Sequence, residues 1–470
     1  MTKQPIKPKE KTIELRISNF DEVVNNYTEE QAVKEAERCL QCKNPVCISG
    51  CPVAIDIKKF IYLISQKDFI GAYKIIKEKN NFPSVCGRVC PAEYQCRKEC
   101  VLTKRGMPFA EDKAINIHFL ERFAGDYGIK GNKNNSNSIS SAETDKKVAI
   151  VGSGPAGLCA AGELARQNIK VTIYESLHNT GGVLRYGIPQ FRLPREILDY
   201  EIEYVKKLGV DIKTNFIIGR AASIKDLFDY GYRAIFLGLG AGVPSFLNIP
   251  GENLCNVYSA NEFLTRTNLM RAYDFPKSHT PVNIGKNIIV IGGGNTAMDA
   301  ARTAVRLQKM GGMESNVTIV YRRTEMEMPA RRLEIHHAKE EGIKFEILTQ
   351  PIEFVSDEKG YVKKLVSLKC ELGEPDKSGR KRPVPITDSR FELGCDCAII
   401  AVGLKSNRIL TSHTQELELN KSGEIVVNPK TMETSIKNVY AGGDIVGGEG
   451  TIIEAMYMGK KASKAILKKL

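Results

Sequence analysis

Two stretches of this 470-residue chain read as a β-strand running straight into a glycine-rich turn and a helix: KKVAIVGSGPAGLCAAGELA and KNIIVIGGGNTAMDAARTAV. Nothing else in the sequence limits the fold as much. Such a unit lays its helix against a parallel sheet and brings backbone N–H groups to the phosphates of a dinucleotide. The first has Gly152-x-Gly154-Pro155-Ala156-Gly157, followed by Glu175 at the end of the next strand. Gly152 makes the tight turn, Gly154 lets the backbone approach a pyrophosphate, and Gly157 allows close helix–strand packing. Glu175 can accept hydrogen bonds from an adenosine ribose.

The second has Gly292-x-Gly294-Asn295-Thr296-Ala297, the variant with alanine last. Its next strand, NVTIVYRR, ends in Tyr321-Arg322-Arg323. An acid at that point would repel a 2′-phosphate, whereas Arg322 and Arg323 can form charge-assisted bonds with it. NADP(H) is therefore expected over NAD(H). Arg331 or Arg332, in EMEMPARRLEI, is a further candidate for that phosphate; a solvated helix start is the competing reading.

From Lys147 onward apolar β runs alternate with helical stretches, as in a parallel α/β architecture. The expected fold class is α/β, with a helical amino-terminal domain followed by two Rossmann-like nucleotide-binding domains. The boundaries read as a cysteine domain over 1–128, an Asn/Ser-rich linker over 129–146, a first nucleotide domain in two parts (147–280 and 403–470) and a second over 281–402. The formal net charge of +13 is spread over many basic pairs, which reads as a solvated surface or as steering for an acidic partner. No nucleic-acid-binding module is recognisable and no membrane span is expected. The charged start, MTKQPIKPKEKT, does not read as a secretory signal, so a cytoplasmic address is expected.

Eight of the 13 cysteines fall before residue 128. Cys39, Cys42, Cys47 and Cys51 form one group, closed by Pro52; Cys86, Cys90, Cys96 and Cys100 form another, with Pro91 after Cys90. Thr28-x-x-Gln31 is a capping box, so a helix is expected to deliver Cys39 and Cys42. Closely spaced thiolates suit iron–sulfur cubes. Structural zinc is the main competitor, and disulfides are disfavoured in a reducing compartment.

ERCLQCKNPVCISGCPVAIDIKKFI and SVCGRVCPAEYQCRKEC resemble the amino-terminal domain of the glutamate synthase small subunit, which also opens dihydropyrimidine dehydrogenase. The resemblance implies two [4Fe–4S] clusters with interleaved ligands. One would take Cys39, Cys42, Cys47 and Cys100. The other would take Cys51, Cys90, Cys96 and, from INIHFLERF, Glu121, whose alternative is an exposed helix carboxylate. Cys86 falls outside both sets.

The same family resemblance assigns FAD to the first fingerprint. GGVLRYGIPQFRLPREILDYEI matches its flavin segment, with Gly181, Gly182, Leu184, Arg185 and Tyr186 near the isoalloxazine. AGGD supplies Gly443 and Asp444, the acid for the ribityl chain, and Thr451 and Ile452 open a helix aimed at the flavin. The implied activity is electron transfer from NADPH through FAD to the clusters and on to a redox partner, with no side-chain acid or base. That partner would be a glutamate synthase large subunit, a ferredoxin or a second flavoprotein subunit. GENLCNVYSANEFLTRTNLMRAYDFP and LGEPDKSGRKRPVPI look most like a stand-alone branch that includes the large subunit of the ferredoxin-dependent NADH:NADP transhydrogenase. That role, and a non-catalytic assembly subunit, are the alternatives. A homo-oligomer is compatible with the sequence, which does not write the oligomeric state.

Overall fold

The computed structural model describes residues 4–103, 113–132, 145–376, 379–448 and 450–470. The amino-terminal part is helical. Its main helices are α1 (Glu29–Ala36), α2 (Ile57–Ser65), α3 (Phe69–Lys79), α4 (Pro83–Val89) and α5 (Ile117–Asn132). The capping box forms as expected: the Gln31 N–H donates to Thr28 Oγ1 at 3.2 Å and the Thr28 N–H to Gln31 Oε1 at 3.0 Å. Asp56 and Asp68 cap α2 and α3 with a single bond each, accepting from Lys59 N–H and Gly71 N–H. Phe60, Ile61 and Ile64 of α2 and Leu120 and Ala124 of α5 are buried in one core that continues under the first nucleotide fold.

Helix α5 runs to Asn132, into the stretch read as linker from 129. Gly128 and Gly131 lower its local propensity. Tertiary packing overrides that: Ile129 is buried, and Gly128 lies so close to the Tyr73 ring that a Cβ would sit 2.4 Å from it. Residues 133–144 of the expected linker lie outside the described residues.

Two five-stranded parallel sheets follow. The first has the order Val439–Ala441, Ala234–Leu237, Lys147–Val151, Lys170–Tyr174, Asp211–Lys213. The second has the order Val257–Ser259, Cys397–Ile400, Ile288–Ile291, Val317–Tyr321, Lys344–Ile347. Each fingerprint strand is central in its sheet, so its turn opens on the crevice beyond the strand ends where such folds bind ligands. Val257–Ser259 belongs to the second sheet although it precedes residue 281. An antiparallel pair, Ala241–Pro244 with Leu404–Ser406, lies along the two crossings between the sheets.

An antiparallel sheet of Thr349–Ser356, Val362–Pro375, Lys381–Pro385 and Phe391–Gly394 departs from the expected β/helix alternation. The helices that serve the sites are α6 (Pro155–Ala165), α7 (Asn295–Met310), α8 (Arg332–Glu340) and α9 (Ile452–Lys469). Gly459 lets α9 settle on α6; a Cβ there would be 2.4 Å from the Ala156 carbonyl oxygen. Among the described residues no helix is long and apolar enough to cross a membrane.

Candidate cofactor-binding site

The three fingerprint glycines of the first nucleotide fold meet three different steric demands. Gly152 has φ +100°, and a Cβ there would sit 2.4 Å from the Gly238 carbonyl oxygen. At Gly157 a Cβ would lie 2.0 Å from the Gly152 carbonyl oxygen. Gly154 is the opposite case, because nothing lies within 4 Å of its would-be Cβ. That open space is at the start of α6, whose first turn has no side-chain cap. Its backbone donors are thus available to an anion, which fits a pyrophosphate.

Glu175 is buried, and its carboxylate is already engaged with the turn. Oε2 accepts from Ser153 N–H at 2.8 Å and Ser153 Oγ–H at 2.5 Å, and Oε1 accepts from Leu177 N–H at 2.8 Å. Its first role is to hold the glycine turn; a carboxylate has lone pairs left for a ribose. Gly181 and Gly182 have φ +116° and +53°, and a Cβ on Gly182 would be 2.8 Å from Gly154 Cα. The flavin segment therefore lies against the fingerprint. Burial pushes Tyr186 up to about 12, helped by the nearby Asp444 and Glu175 carboxylates. Gly443 faces Ala156 of α6, 3.3 Å from the Ala156 Cβ to a would-be Cβ.

Arg185, Leu184 and Thr451 also make contacts within the protein. The buried Arg185 guanidinium donates to the Thr180 carbonyl at 2.6 Å and pairs with Asp199, so it braces its own segment. The Leu184 side chain is buried, and its carbonyl accepts from Arg195 at 2.9 Å. Thr451 caps α9 by accepting from Glu454 N–H at 3.3 Å, and it also accepts from Gln95 of the cysteine domain at 3.4 Å.

The second cradle repeats the first. Gly292 has φ +141° with the Ala401 carbonyl oxygen 2.3 Å from a would-be Cβ, whereas Gly294 meets only Pro329 at 4.0 Å. Helix α7 also starts without a side-chain cap, Ala297 is buried beneath it and Thr296 is exposed. Arg322 is exposed at the end of its strand, as a phosphate ligand must be. Arg323, by contrast, is buried, and it donates to Asp376 at 2.7 Å and to the Lys381 carbonyl at 2.8 Å. Arg331 is buried, with its guanidinium turned to the cysteine domain, where it donates to the Arg88 carbonyl at 2.7 Å. Arg332 donates from its backbone to Glu93 at 3.1 Å.

In the cysteine domain, Cys39, Cys42, Cys47 and Cys100 line one cavity, closed by Val46, Ile57 and Ile61. Burial, and then the Cys100, Cys39 and Cys42 thiols, push Cys47 up to about 11. Cys51, Cys90, Cys96 and Glu121 form a second group. Burial pushes Cys51 up to about 12, with Glu121 and Cys90 adding to it; Cys90 is held well above the ordinary thiol range by its hydrogen bond with Cys86 and by burial, and Cys96 by burial and then by Cys51 and Glu121. Glu121 is buried rather than on a solvent face; burial lifts it to about 8, opposed by a 2.6 Å hydrogen bond from Asn80.

Three thiols and a carboxyl packed out of water suit a cationic guest that lets all four ionise. Both groups fit iron–sulfur ligation. Cys86 sits behind Cys90, hydrogen-bonded to it, with its Sγ 3.6 Å from Asn80 Oδ1 and 3.7 Å from Met456 Sδ of α9. Sequence reading missed Asn80, Gln95, Met456 and Asp376, because no motif marks a partner brought in from elsewhere in the chain.

Comparisons with known proteins give the family. Residues 16–133 match the family described as dihydropyrimidine dehydrogenase domain II, 4Fe–4S cluster. Residues 146–459 match the family described as pyridine nucleotide-disulphide oxidoreductase. The glutamate synthase [NADPH] small chain of Escherichia coli is 33% identical over 470 residues, covering 99% of this chain and 97% of that one. The NADP(+)-dependent formate dehydrogenase subunit beta of Moorella thermoacetica is 36% identical, covering 89% of this chain and 59% of that one. Among solved structures, Mycobacterium tuberculosis FprA in complex with NADPH has a TM-score of 0.58 at 22% identity, covering 69% of this chain and 84% of that one. That likeness shows the fold of the nucleotide-binding part.

Paired nucleotide cradles behind a cysteine-rich helical domain define a pyridine nucleotide oxidoreductase with an iron–sulfur domain. The chain belongs to the glutamate synthase small-subunit family.

Proposed function

We propose that the chain moves electrons between NADPH, FAD and two [4Fe–4S] clusters, and exchanges them with a partner protein. The observation that carries this reading is the contact between the cysteine domain and α9. Gln95 donates to Thr451 at the start of that helix, and Met456, one turn on, touches Cys86. The flavin cradle and the second cysteine group therefore share a wall. When bound, FAD supplies the conversion between the electron pair of a nicotinamide hydride and the single electrons a cluster accepts.

The chain's own residues bind and orient. The open turns at Gly154 and Gly294 take the dinucleotide phosphates, and Arg322 takes the 2′-phosphate. Cys39, Cys42, Cys47 and Cys100 hold one cluster; Cys51, Cys90, Cys96 and Glu121 hold the other. Relatives named as subunits, in formate dehydrogenase and in glutamate synthase, support a protein as the exchange partner.

The test begins with metal content. Anaerobically purified protein is expected to carry about eight irons and eight acid-labile sulfides, the content of two cubes. Cys100→Ala should perturb one cluster signal and Glu121→Ala only the other; stoichiometric zinc, or signals untouched by either change, would sink the assignment.

NADPH added without oxygen should bleach the flavin within seconds. Arg322→Ala should weaken NADPH by about tenfold to a hundredfold in kcat/KM and leave NADH nearly unchanged, because one charge-assisted bond is lost. Arg323→Ala removes the contact with Asp376 and should affect both nucleotides alike. An Arg322 variant that keeps its NADPH preference would move the phosphate elsewhere.

A further inference from the structure

Arg331 is among the largest fully buried side chains, and it crosses from the nucleotide-binding half into the cysteine domain. Its only guanidinium hydrogen bond among the described residues goes to the Arg88 carbonyl, two residues before Cys90. Its Nε is buried without a hydrogen-bond partner, and the nearest carboxylates, Glu93 and Glu334, both stand at 3.8 Å. The guanidinium therefore sits between two carboxylates and the Arg88 carbonyl, on the wall of the segment that carries Cys90. His118, one turn before Glu121 on α5, is buried beside it with both ring nitrogens unpaired.

The backbone around Arg331 is held from both sides. Its N–H donates to Asn295 Oδ1 at 2.9 Å, and Ala330 N–H donates to the Gly293 carbonyl at 3.2 Å, so the loop grips the second glycine turn. From the cysteine domain, Tyr94 Oη–H donates to the Ala330 carbonyl at 3.2 Å. A fixed cation in a dry interior favours whichever state of its neighbour carries more negative charge. A cluster gains one negative charge on reduction. The sign follows: the cation favours the reduced form.

We propose that Arg331, supplied by the nucleotide-binding half, raises the reduction potential of the cluster held by Cys51, Cys90, Cys96 and Glu121. The inference rests on the two-cluster reading above. Its setting then depends on a loop clamped to the second glycine turn.

The test is a potentiometric titration of the full-length, metal-loaded protein, followed by electron paramagnetic resonance. In Arg331→Gln the signal altered by Glu121→Ala should move to lower potential, by about tenfold in the reduction equilibrium, or ~59 mV for one electron. The other signal should stay in place, and Arg331→Lys should keep most of the wild-type value. Unchanged potentials in an iron-replete Gln variant overturn the proposal, as does an equal shift in the Lys variant. If Gln loses iron, Arg331→Met keeps the side chain's length without its charge and carries the same test. Loss of iron in both would mean that Arg331 holds the domains together instead, which also overturns it. Wild-type protein with a single cluster signal would instead defeat the two-cluster reading.

Discussion

Gly154→Val should give a folded chain that keeps its iron and purifies almost free of flavin. Gly154 has φ −72° and ψ −176°, extended backbone that valine adopts without strain. Nothing in the protein lies within 4 Å of the new Cβ, so the fold tolerates the change. The added methyls occupy the space at the start of α6 where a pyrophosphate must approach the backbone. The neighbouring glycines behave differently: valine at Gly157 would collide with backbone at 2.0 Å and disturb folding itself. Flavin absorbance per iron, with circular dichroism as the check on folding, reads the result. Full flavin occupancy would show that the first fingerprint is not the FAD site.

Glu341→Gln should cost about 3–5 kcal/mol of folding stability, the usual penalty for removing one member of a buried ionic group. Glu341 accepts from Arg302 at 3.0 and 2.8 Å and from Arg306 at 2.7 and 3.0 Å, and all three side chains are buried. The group extends through Glu334, paired with Arg302, to Arg192 of the flavin segment, which also donates to Asp299 at 2.7 Å. It therefore fixes one nucleotide cradle against the other. Both arginines also lie over the Phe191 ring, at 4.8 and 3.9 Å.

Burial alone would raise Glu341, but Arg302 and Arg306 outweigh it and hold the carboxyl well below its ordinary 4.5. A depressed folded value adds stability that is complete above the ordinary value and is lost as pH falls toward the folded one. The gap in urea midpoint between wild type and Glu341→Gln should thus be widest near pH 7 and narrow below about pH 4.5. Equal midpoints at pH 7 would mean that the network relaxes around the loss.

The legible parts of the site were those whose chemistry is local. A glycine turn is a statement about one residue's φ and the space beside it, so Gly152, Gly157 and Gly292 could be read from spacing alone. The capping box at Thr28 and Gln31 is equally local, since both partners lie within one turn. The cysteine spacing announced metal-type ligation. The grouping of Cys100 with Cys39, Cys42 and Cys47 came from a family resemblance, because that contact closes a loop of about sixty residues that no spacing rule predicts.

By itself, then, the sequence determined two nucleotide folds, their phosphate turns and a thiol-rich helical domain. The tertiary structure decided which long side chains serve them. Arg322 and Arg323 are adjacent and chemically equal, yet a segment more than fifty residues on supplies Asp376, and only the second is buried. Arg331 sits in a basic stretch that looks solvated, and the packing of the cysteine domain takes it out of water. Glu121 could have faced solvent on an amphipathic helix; Asn80 and the neighbouring cysteines make it an interior acid. The physical reason is common to all three. A flexible charged side chain reaches many positions from one Cα, and its role is set by the partner and burial that distant segments bring to it.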